Sequence, residues 1–334
     1  MKKVIGIGNA LTDILVNLPS DELLRRMELP RGSMSLVEAE TQLAISKHTA
    51  DLPRALSLGG SAGNTIRAMA SLGVPTGFIG KVGADTTGDF YERALENLGV
   101  RPTILRGQEH SGRCISLISP DGERTMATFL GAAVEMSAEE IRGEFFAGYD
   151  YLYLEGYLVQ NHDLIRNIAI QAKQFGLEVA IDLSSFNVVN ENIDFLHALV
   201  ADYVDIVFAN QDEATAFTGE SDPLKAAELI AGKCRMAVVK IGTRGTYIKL
   251  TYDPVVHVGI MSAASRVDTT GAGDFYAAGF MYGLCNGLSI RQCGTIGAIA
   301  AGKVIEVVGT TFGQDAWNEI AILIKHVKTE QYLF

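Results

Sequence analysis

Cysteine is scarce in this sequence. The four residues Cys114, Cys234, Cys285 and Cys293 stand far apart with no C-x-x-C pair, which argues against a disulfide framework and for free thiols in a reducing cytoplasm. Positive charge is also short: 28 Lys and Arg against 39 Asp and Glu leave a net charge of −11. With no general basic field, neither nucleic acid nor an anionic membrane is expected as a partner. A phosphate compound would have to be gripped locally, by backbone N–H groups, a helix N-terminus and a metal ion. Long apolar runs are missing; the nearest, Cys293 to Val308, is broken by Lys303 and Glu306 and falls short of the ~18 residues a membrane span needs. The six histidines show no metal-ligand spacing, and no G-x-x-x-x-G-K-S/T occurs, so neither a histidine metal centre nor a P-loop is expected. No Ser/Pro/Gly linker or internal repeat interrupts the 334 residues, which read as one large α/β domain that builds a small lid. The opening MKKVIGIGNALTDILV carries Asn9 and Asp13 and lacks a small-residue cleavage site; it reads as a first strand rather than a signal peptide.

Hydrophobic residues are plentiful, at 48% of the chain, enough for a core of ordinary proportions. From Ala147 onward short apolar runs alternate with helical patterns: YDYLYLEG, a helix over 161–175, LEVAIDLS, a helix around 190–200, YVDIVFAN, a helix around 211–218, then MAVVKIG. That alternation predicts a doubly wound, mostly parallel sheet flanked by helices. Asn161 as N-cap and Gly176 as stop bound the first of these helices, and Ser137 with Glu140 makes a capping box that opens another. Before residue 130, VIGIGNA reads as a buried strand and 62–72 and 86–98 as helices. LTDILVNL, GSMSLVEA and RCISLISP alternate as half-exposed antiparallel strands do. The expectation is a small β-sheet lid built from about 11–18, 32–38 and 100–131, with TRGTYIKL at 243–250 adding a later hairpin.

The strongest local signal is Asp268-Thr269-Thr270-Gly271-Ala272-Gly273-Asp274, which runs straight into an apolar helix pattern. Glycines just before a helix leave N–H groups pointing outward with the positive end of the helix dipole behind them, and such a nest binds an anion. Asp274, in the first turn, either caps that helix or serves as a base beside an oxyanion-type hole, which suits attack by an alcohol on phosphorus. A cap needs neither the two flanking glycines nor the preceding Asp-Thr-Thr. Gly59-Gly60-Ser61-Ala62-Gly63-Asn64-Thr65 opens a second helix; Gly59 and Gly60 allow a ligand close to the backbone, and Asn64 offers a donor and an acceptor to a diol. A glycine turn packed on the sheet would account for the same pattern. Gly6-x-Gly8-Asn9 lacks the third glycine of a dinucleotide fingerprint, because Leu11 stands there, and this opposes an oxidoreductase. Asn9 and Asp13 instead sit at and after a strand end, where ligands of α/β sheets bind. Asn210 and Glu213 follow a strand and suit either a Mg²⁺ ion held through water or an N-cap with its N3 glutamate. Arg124 and Lys240 are candidates for phosphate contact, though a single basic residue is more often solvated.

These residues resemble a known family. DTTGAGDFYAAGF, GGSAGNT and NQDE look like the two signatures and the N-x-x-E element of the ribokinase (PfkB carbohydrate kinase) family, in matching order over essentially the whole chain. The resemblance implies a ribokinase-like α/β fold with a β lid, ATP and Mg²⁺ as cofactors, and transfer of the γ-phosphoryl group to an exocyclic hydroxymethyl. By the same likeness Asp274 is the base, and Gly271, Ala272 and Gly273 form its anion hole. Asn210 and Glu213 organise Mg²⁺ and phosphates, while Asp13, Gly60 and Asn64 hold sugar hydroxyls. Gly242 and Gly245 border the nucleotide together with Lys240, and Arg124 matches a lid-side arginine that reaches the transferring phosphate. Asp268 and Thr270 match part of a monovalent-cation (K⁺) loop, but Val307-Val308-Gly309-Thr310 departs from the small-residue run expected opposite it. GNALTDI, PRGSMSLVE, SGRCISLISPDGERTMATFLGAA and VVGTTF resemble the adenosine-kinase-like branch, whereas Thr270 is the ribokinase-like form. The resemblance therefore implies a cytoplasmic nucleoside kinase, monomer or homodimer, with a ribose, fructose or 2-dehydro-3-deoxygluconate kinase as the alternative and a catalytically silent nucleotide-binding regulator as the different-class alternative.

Overall fold

Both faces of the large sheet are covered, and its strands are accordingly near-continuous apolar runs. The computed structural model describes residues 1–329. Its strands in chain order are β1 (Val4–Ile7), β2 (Leu11–Asn17), β3 (Met34–Leu36), β4 (Arg54–Leu58), β5 (Thr76–Gly83), β6 (Arg101–Gly107), β7 (Gly112–Ile118), β8 (Arg124–Phe129), β9 (Tyr151–Glu155), β10 (Glu178–Asp182), β11 (Ile206–Asn210), β12 (Met236–Lys240), β13 (Thr246–Leu250) and β14 (Val256–Val258). Among the described residues nine strands form the large sheet in the order β14-β13-β12-β11-β10-β9-β1-β5-β6. It is parallel from β6 to β12, and β13 and β14 close it as antiparallel strands. Side chains alternate between two cores. Val4, Tyr151, Tyr153, Met236 and Val238 pack toward the helices Ser61–Ser71, Ala272–Cys285 and Ile290–Val304. Their neighbours Ile5, Ile7, Leu152, Leu154, Ala237 and Val239 pack toward His162–Gln174, Ile193–Tyr203 and Pro223–Ala231. This is the doubly wound α/β arrangement, with a smaller separate sheet attached.

The smaller sheet runs β3-β8-β7-β2-β4. Alternate residues of its strands point away from the cleft: Ile14, Val16, Ile115, Leu117 and Ala127 form a core of their own with Leu24 and Ile45 of the helices Glu22–Arg26 and Ala39–His48. The opposite face is left for the cleft. Three details differ from the sequence expectation. Residues 101–107 belong to the large sheet, where β6 pairs with β5 across the helix Thr86–Asn97 as an ordinary parallel crossover, while β4 joins the small sheet. The β2–β7 and β3–β8 pairs are parallel rather than antiparallel, because each pair is joined through long stretches of chain instead of a tight turn. Ser137 and Glu140 do form a capping box, but only the short 3₁₀ turn Ala138–Glu140 follows it. Glu140 there also accepts from the buried Lys81 ammonium at 2.8 Å.

Asn161 caps its helix by accepting the Leu164 N–H, and Gly176 ends it at φ 79°. The helical stretch around 190–200 is interrupted at Asn192, between Phe186–Glu191 and Ile193–Tyr203. All four cysteines are free and buried. Among the described residues no helix is long and apolar enough to cross a membrane.

Candidate active site

In a parallel sheet the side chains at the carboxyl ends of neighbouring strands stand side by side, and there the sequence turns from apolar to polar. Glu155 ends β9, Asp182 ends β10, Asn210 ends β11 and Lys240 ends β12; register places Glu155 opposite Asp182 and Asn210 opposite Lys240. A cleft of about 1340 Å³ opens above them, roofed by the inner face of the small sheet. That face contributes alternate residues: Leu11 and Asp13 from β2, Cys114 and Ser116 from β7, Arg124, Met126 and Thr128 from β8, Met34 and Leu36 from β3.

Asp274 lies at the cleft floor in the first turn of Ala272–Cys285. Its Oδ1 accepts from the Ser61 hydroxyl at 2.7 Å and its Oδ2 from the Asn64 amide at 2.9 Å. Burial lifts this carboxyl to about 6; the two hydrogen bonds and Lys240 pull it down, and Asp182 pushes it up. The carboxylate thus remains largely ionised at neutral pH yet is basic enough to take a proton from an alcohol. Gly271 caps the helix in the left-handed conformation, φ 75°, which a side chain would strain. The Ala272 N–H is turned back onto the Thr269 carbonyl at 3.2 Å, so of the three residues expected as donors Ala272 is not available, which leaves Gly271 and Gly273. Gly273 borders the Lys240 ammonium closely.

Asp13 is half-buried, has no hydrogen-bonding partner among the described residues, and faces the cleft. Burial raises its carboxyl to about 6 against the pull of Arg67 and Arg124. Gly59 lies directly against this carboxylate and a side chain there would displace it, while Gly60 packs on the Asn9 carbonyl at φ 81°. Asn9 lines the cleft with its amide donated to Glu155 at 2.9 Å. Asn64 departs from expectation. Its Oδ1 already accepts from the Arg67 guanidinium, at 3.0 and 3.2 Å, and from Thr310 at 3.3 Å, so it offers a diol its N–H but no acceptor.

The Asn210–Glu213 pair is a complete capping box: Asn210 accepts the Glu213 N–H at 2.9 Å, and Glu213 accepts the Asn210 N–H and side-chain amide at 2.7 Å. Both nevertheless line the cleft. Burial first, and the neighbouring Asp182 second, push Glu213 up to about 7, with Lys240 opposing. Lys240 donates to Asp182 at 2.8 Å. Two buried carboxylates sharing one ammonium favour additional positive charge, and Mg²⁺, which keeps several waters, fits such a donor set. Gly242 reaches the cleft. Gly245 does not; its carbonyl accepts the Ile241 N–H and it turns the chain into β13.

Arg124 spans from β8 to the loop before Ala272–Cys285. It pairs with Asp268 and donates to Thr270 at 3.0 Å and to Ser116 at 2.7 Å. Asp268 also accepts the N–H groups of Thr270 and Gly309. These bonds hold its carboxyl below the usual range although burial works the other way. With a guanidinium and two N–H donors on it, this carboxylate does not fit a monovalent-cation (K⁺) ligand. Ser61, Arg67, Glu155 and Asp182 complete the site but escape a reading of the sequence alone. For Glu155 and Asp182 the signal was present, as acidic residues closing the apolar runs YLYLE and EVAID.

Residues 46–317 match the pfkB family carbohydrate kinase pattern. The chain belongs to this family. Over 95% of its length it superposes on the adenosine kinase of Sinorhizobium meliloti, covering 98% of that protein with a TM-score of 0.84 and 34% identity. A probable sugar kinase of Rhizobium etli superposes equally well, TM-score 0.84, at 33% identity over 95% of this chain and 97% of that one. The guanosine-inosine kinase of Escherichia coli is 29% identical over 258 residues, 73% of this chain, which spans 59% of that protein's length. As a PfkB kinase the chain is a phosphotransferase with an alcohol acceptor, and the family uses ATP.

Proposed function

We propose that this PfkB kinase phosphorylates the 5′-hydroxyl of a ribonucleoside. One observation carries the reading: the cleft that holds Asp274 and Asp13 is also lined by apolar side chains with nothing to cover them, Met34, Leu36 and Val134, which are 48%, 61% and 57% exposed. A bare sugar has no apolar surface to bury there, whereas a nucleobase gains from covering it.

The acceptor's ribose lies over Gly59 and Gly60 with its hydroxyls donating to the Asp13 carboxylate and accepting from the free Asn64 N–H. Its 5′-oxygen approaches Asp274, which takes the hydroxyl proton as that oxygen bonds to the γ-phosphorus and the bond to ADP breaks. The Gly271 and Gly273 N–H groups and the Lys240 ammonium face the phosphoryl oxygens. Asn210, Glu213 and Asp182 would hold Mg²⁺ through its waters, and the ion would neutralise charge on the phosphates. Arg124 holds the small sheet down on the Asp268 loop and lies within reach of the same phosphates. The acidic surface and free thiols suit a cytoplasmic enzyme.

The test compares kcat/KM for adenosine, guanosine, inosine, ribose, fructose and 2-dehydro-3-deoxygluconate in an ADP-release assay. A nucleoside should lead. A free sugar winning would refute the nucleoside reading and leave the base assignment intact; no turnover of any alcohol would make the chain a silent nucleotide-binding protein.

A further inference from the structure

Asn64 can face Asp274 in two ways, and only one is favourable. With its amide nitrogen toward the carboxylate it donates; turned over, it would set its own oxygen against Oδ2. The choice is made on the other side of the amide, where Arg67 lies one helical turn on. A guanidinium has donors and no acceptor, so it can meet only the oxygen of Asn64, and it does so through two nitrogens. The same Arg67 donates to the Thr310 carbonyl at 2.6 Å and to the Thr310 hydroxyl, and its guanidinium packs 5.9 Å from the Phe275 ring centre. Arg67 is 7% exposed and is not among the residues lining the cleft, so it does not touch a bound acceptor.

We propose that Arg67 is a positioning residue for the base: it locks the Asn64 amide in the orientation that donates to Asp274 and anchors that amide to the Thr310 turn. The inference rests on Asp274 being the base. Other groups face Asp274 and set the background against which Arg67 acts: Ser61 from the same helix as Asn64, Asp182 from β10, Lys240 from β12, Glu155 and Tyr153 from β9, and Tyr157 beyond it. None of these contacts the oxygen of Asn64.

Arg67→Met removes the lock and frees the amide to turn, so Asp274 loses its second donor for part of the time and holds its proton more tightly. The acid limb of the kcat–pH profile, read at saturating acceptor so that the ribose already covers Asp13, should move up by about one pH unit, as loss of a hydrogen bond to a charged group implies, so that kcat falls about tenfold below pH 6 and only about twofold at pH 7; KM for ATP should stay close to wild type. The Arg67 charge also acts on Asp274 directly, so in an Asn64→Ala background the same change should still move the limb, but by clearly less than in the wild-type background, and cost less than about threefold, since the residue it acts through is gone. If Arg67→Met shifts the limb equally in both backgrounds, its charge acts directly and the positioning role is overturned. If the limb never moves while melting temperature falls, Arg67 is purely structural and the inference is overturned as well. Should Arg67→Met fail to fold, Arg67→Lys keeps the buried cation without the fork and should give a smaller shift in the same direction; an unmoved limb there overturns it. Wild-type turnover by Asp274→Asn would instead remove the base assignment on which the inference depends.

Discussion

Replacing Asp274 by asparagine changes one atom of the site and leaves its contacts in place. The variant's oxygen still accepts from Asn64, and its amide can donate to Ser61, whose hydroxyl rotates to receive it. The negative charge is what disappears. That charge is half-buried at the cleft floor and opposed by Asp182 and Glu155, so its removal relieves repulsion and the melting temperature should hold or rise. Nucleotide binding should hold for the same reason, because a polyphosphate approaching Gly273 no longer meets an anion. Turnover should not survive: a positioned base contributes a factor of ~10²–10⁴, and an amide cannot take the hydroxyl proton. Coupled ADP release gives kcat, and calorimetric titration with ATP gives the binding control. A kcat within about threefold of wild type, in protein that still binds ATP, would refute the role of Asp274 and return it to capping its helix.

Because the base works only unprotonated and its carboxyl sits at about 6, kcat/KM should rise with pH through about 6 and level off above it; a profile flat down to about pH 4.5 would contradict this. Asp13, with no partner among the described residues, predicts that 2′-deoxyadenosine loses roughly 10- to 100-fold in kcat/KM against adenosine, the equivalent of about 1–3 kcal/mol for a carboxylate left unpaired beneath the bound acceptor, and equal rates would remove Asp13 from the diol. Glu213→Gln preserves the helix cap and should raise the Mg²⁺ concentration for half-maximal rate with acceptor KM unchanged; an unmoved Mg²⁺ titration would leave residues 210–213 as a cap alone. Asp85 caps the Thr86–Asn97 helix through Gly88 and also binds the N–H and hydroxyl of Ser111, where the chain passes from the large sheet into β7; Asp85→Ala should cost ~1–2 kcal/mol in chemical denaturation at neutral pH. Its carboxyl is brought down to about 2 by these bonds, although burial alone would raise it, so the contribution is complete above about pH 4 and fades as pH falls toward 2. An Asp85→Ala penalty as large at pH 2 as at neutrality would count against it.

What could be read from the sequence and what could not divides along the chain distance over which each feature is made. The Gly271 cap of Ala272–Cys285, the Asn161 and Asn210 caps and the strand–helix alternation after Ala147 are each built by residues a few positions apart, and spacing alone reports them. Asp182 and Glu155 required one further step, the rule that a parallel sheet lines up the ends of its strands, and the acidic residues closing two apolar runs met it. The small sheet needed more. Whether β2 lies parallel to β7 depends on the intervening passage through β5 and β6 in the other sheet, and alternation within a strand carries no information on direction. Arg67 lies beyond all of these. In a helix of small residues it reads as a surface arginine, and the partner that gives it meaning, Thr310, is 243 positions away. Its role exists only because two helices from opposite ends of the chain pack side by side, Ser61–Ser71 against Ala272–Cys285. For the same reason the acid strength of Asp274 is a property of the tertiary structure, which supplies Ser61, Asn64 and Asp182, and not of the motif that names the residue.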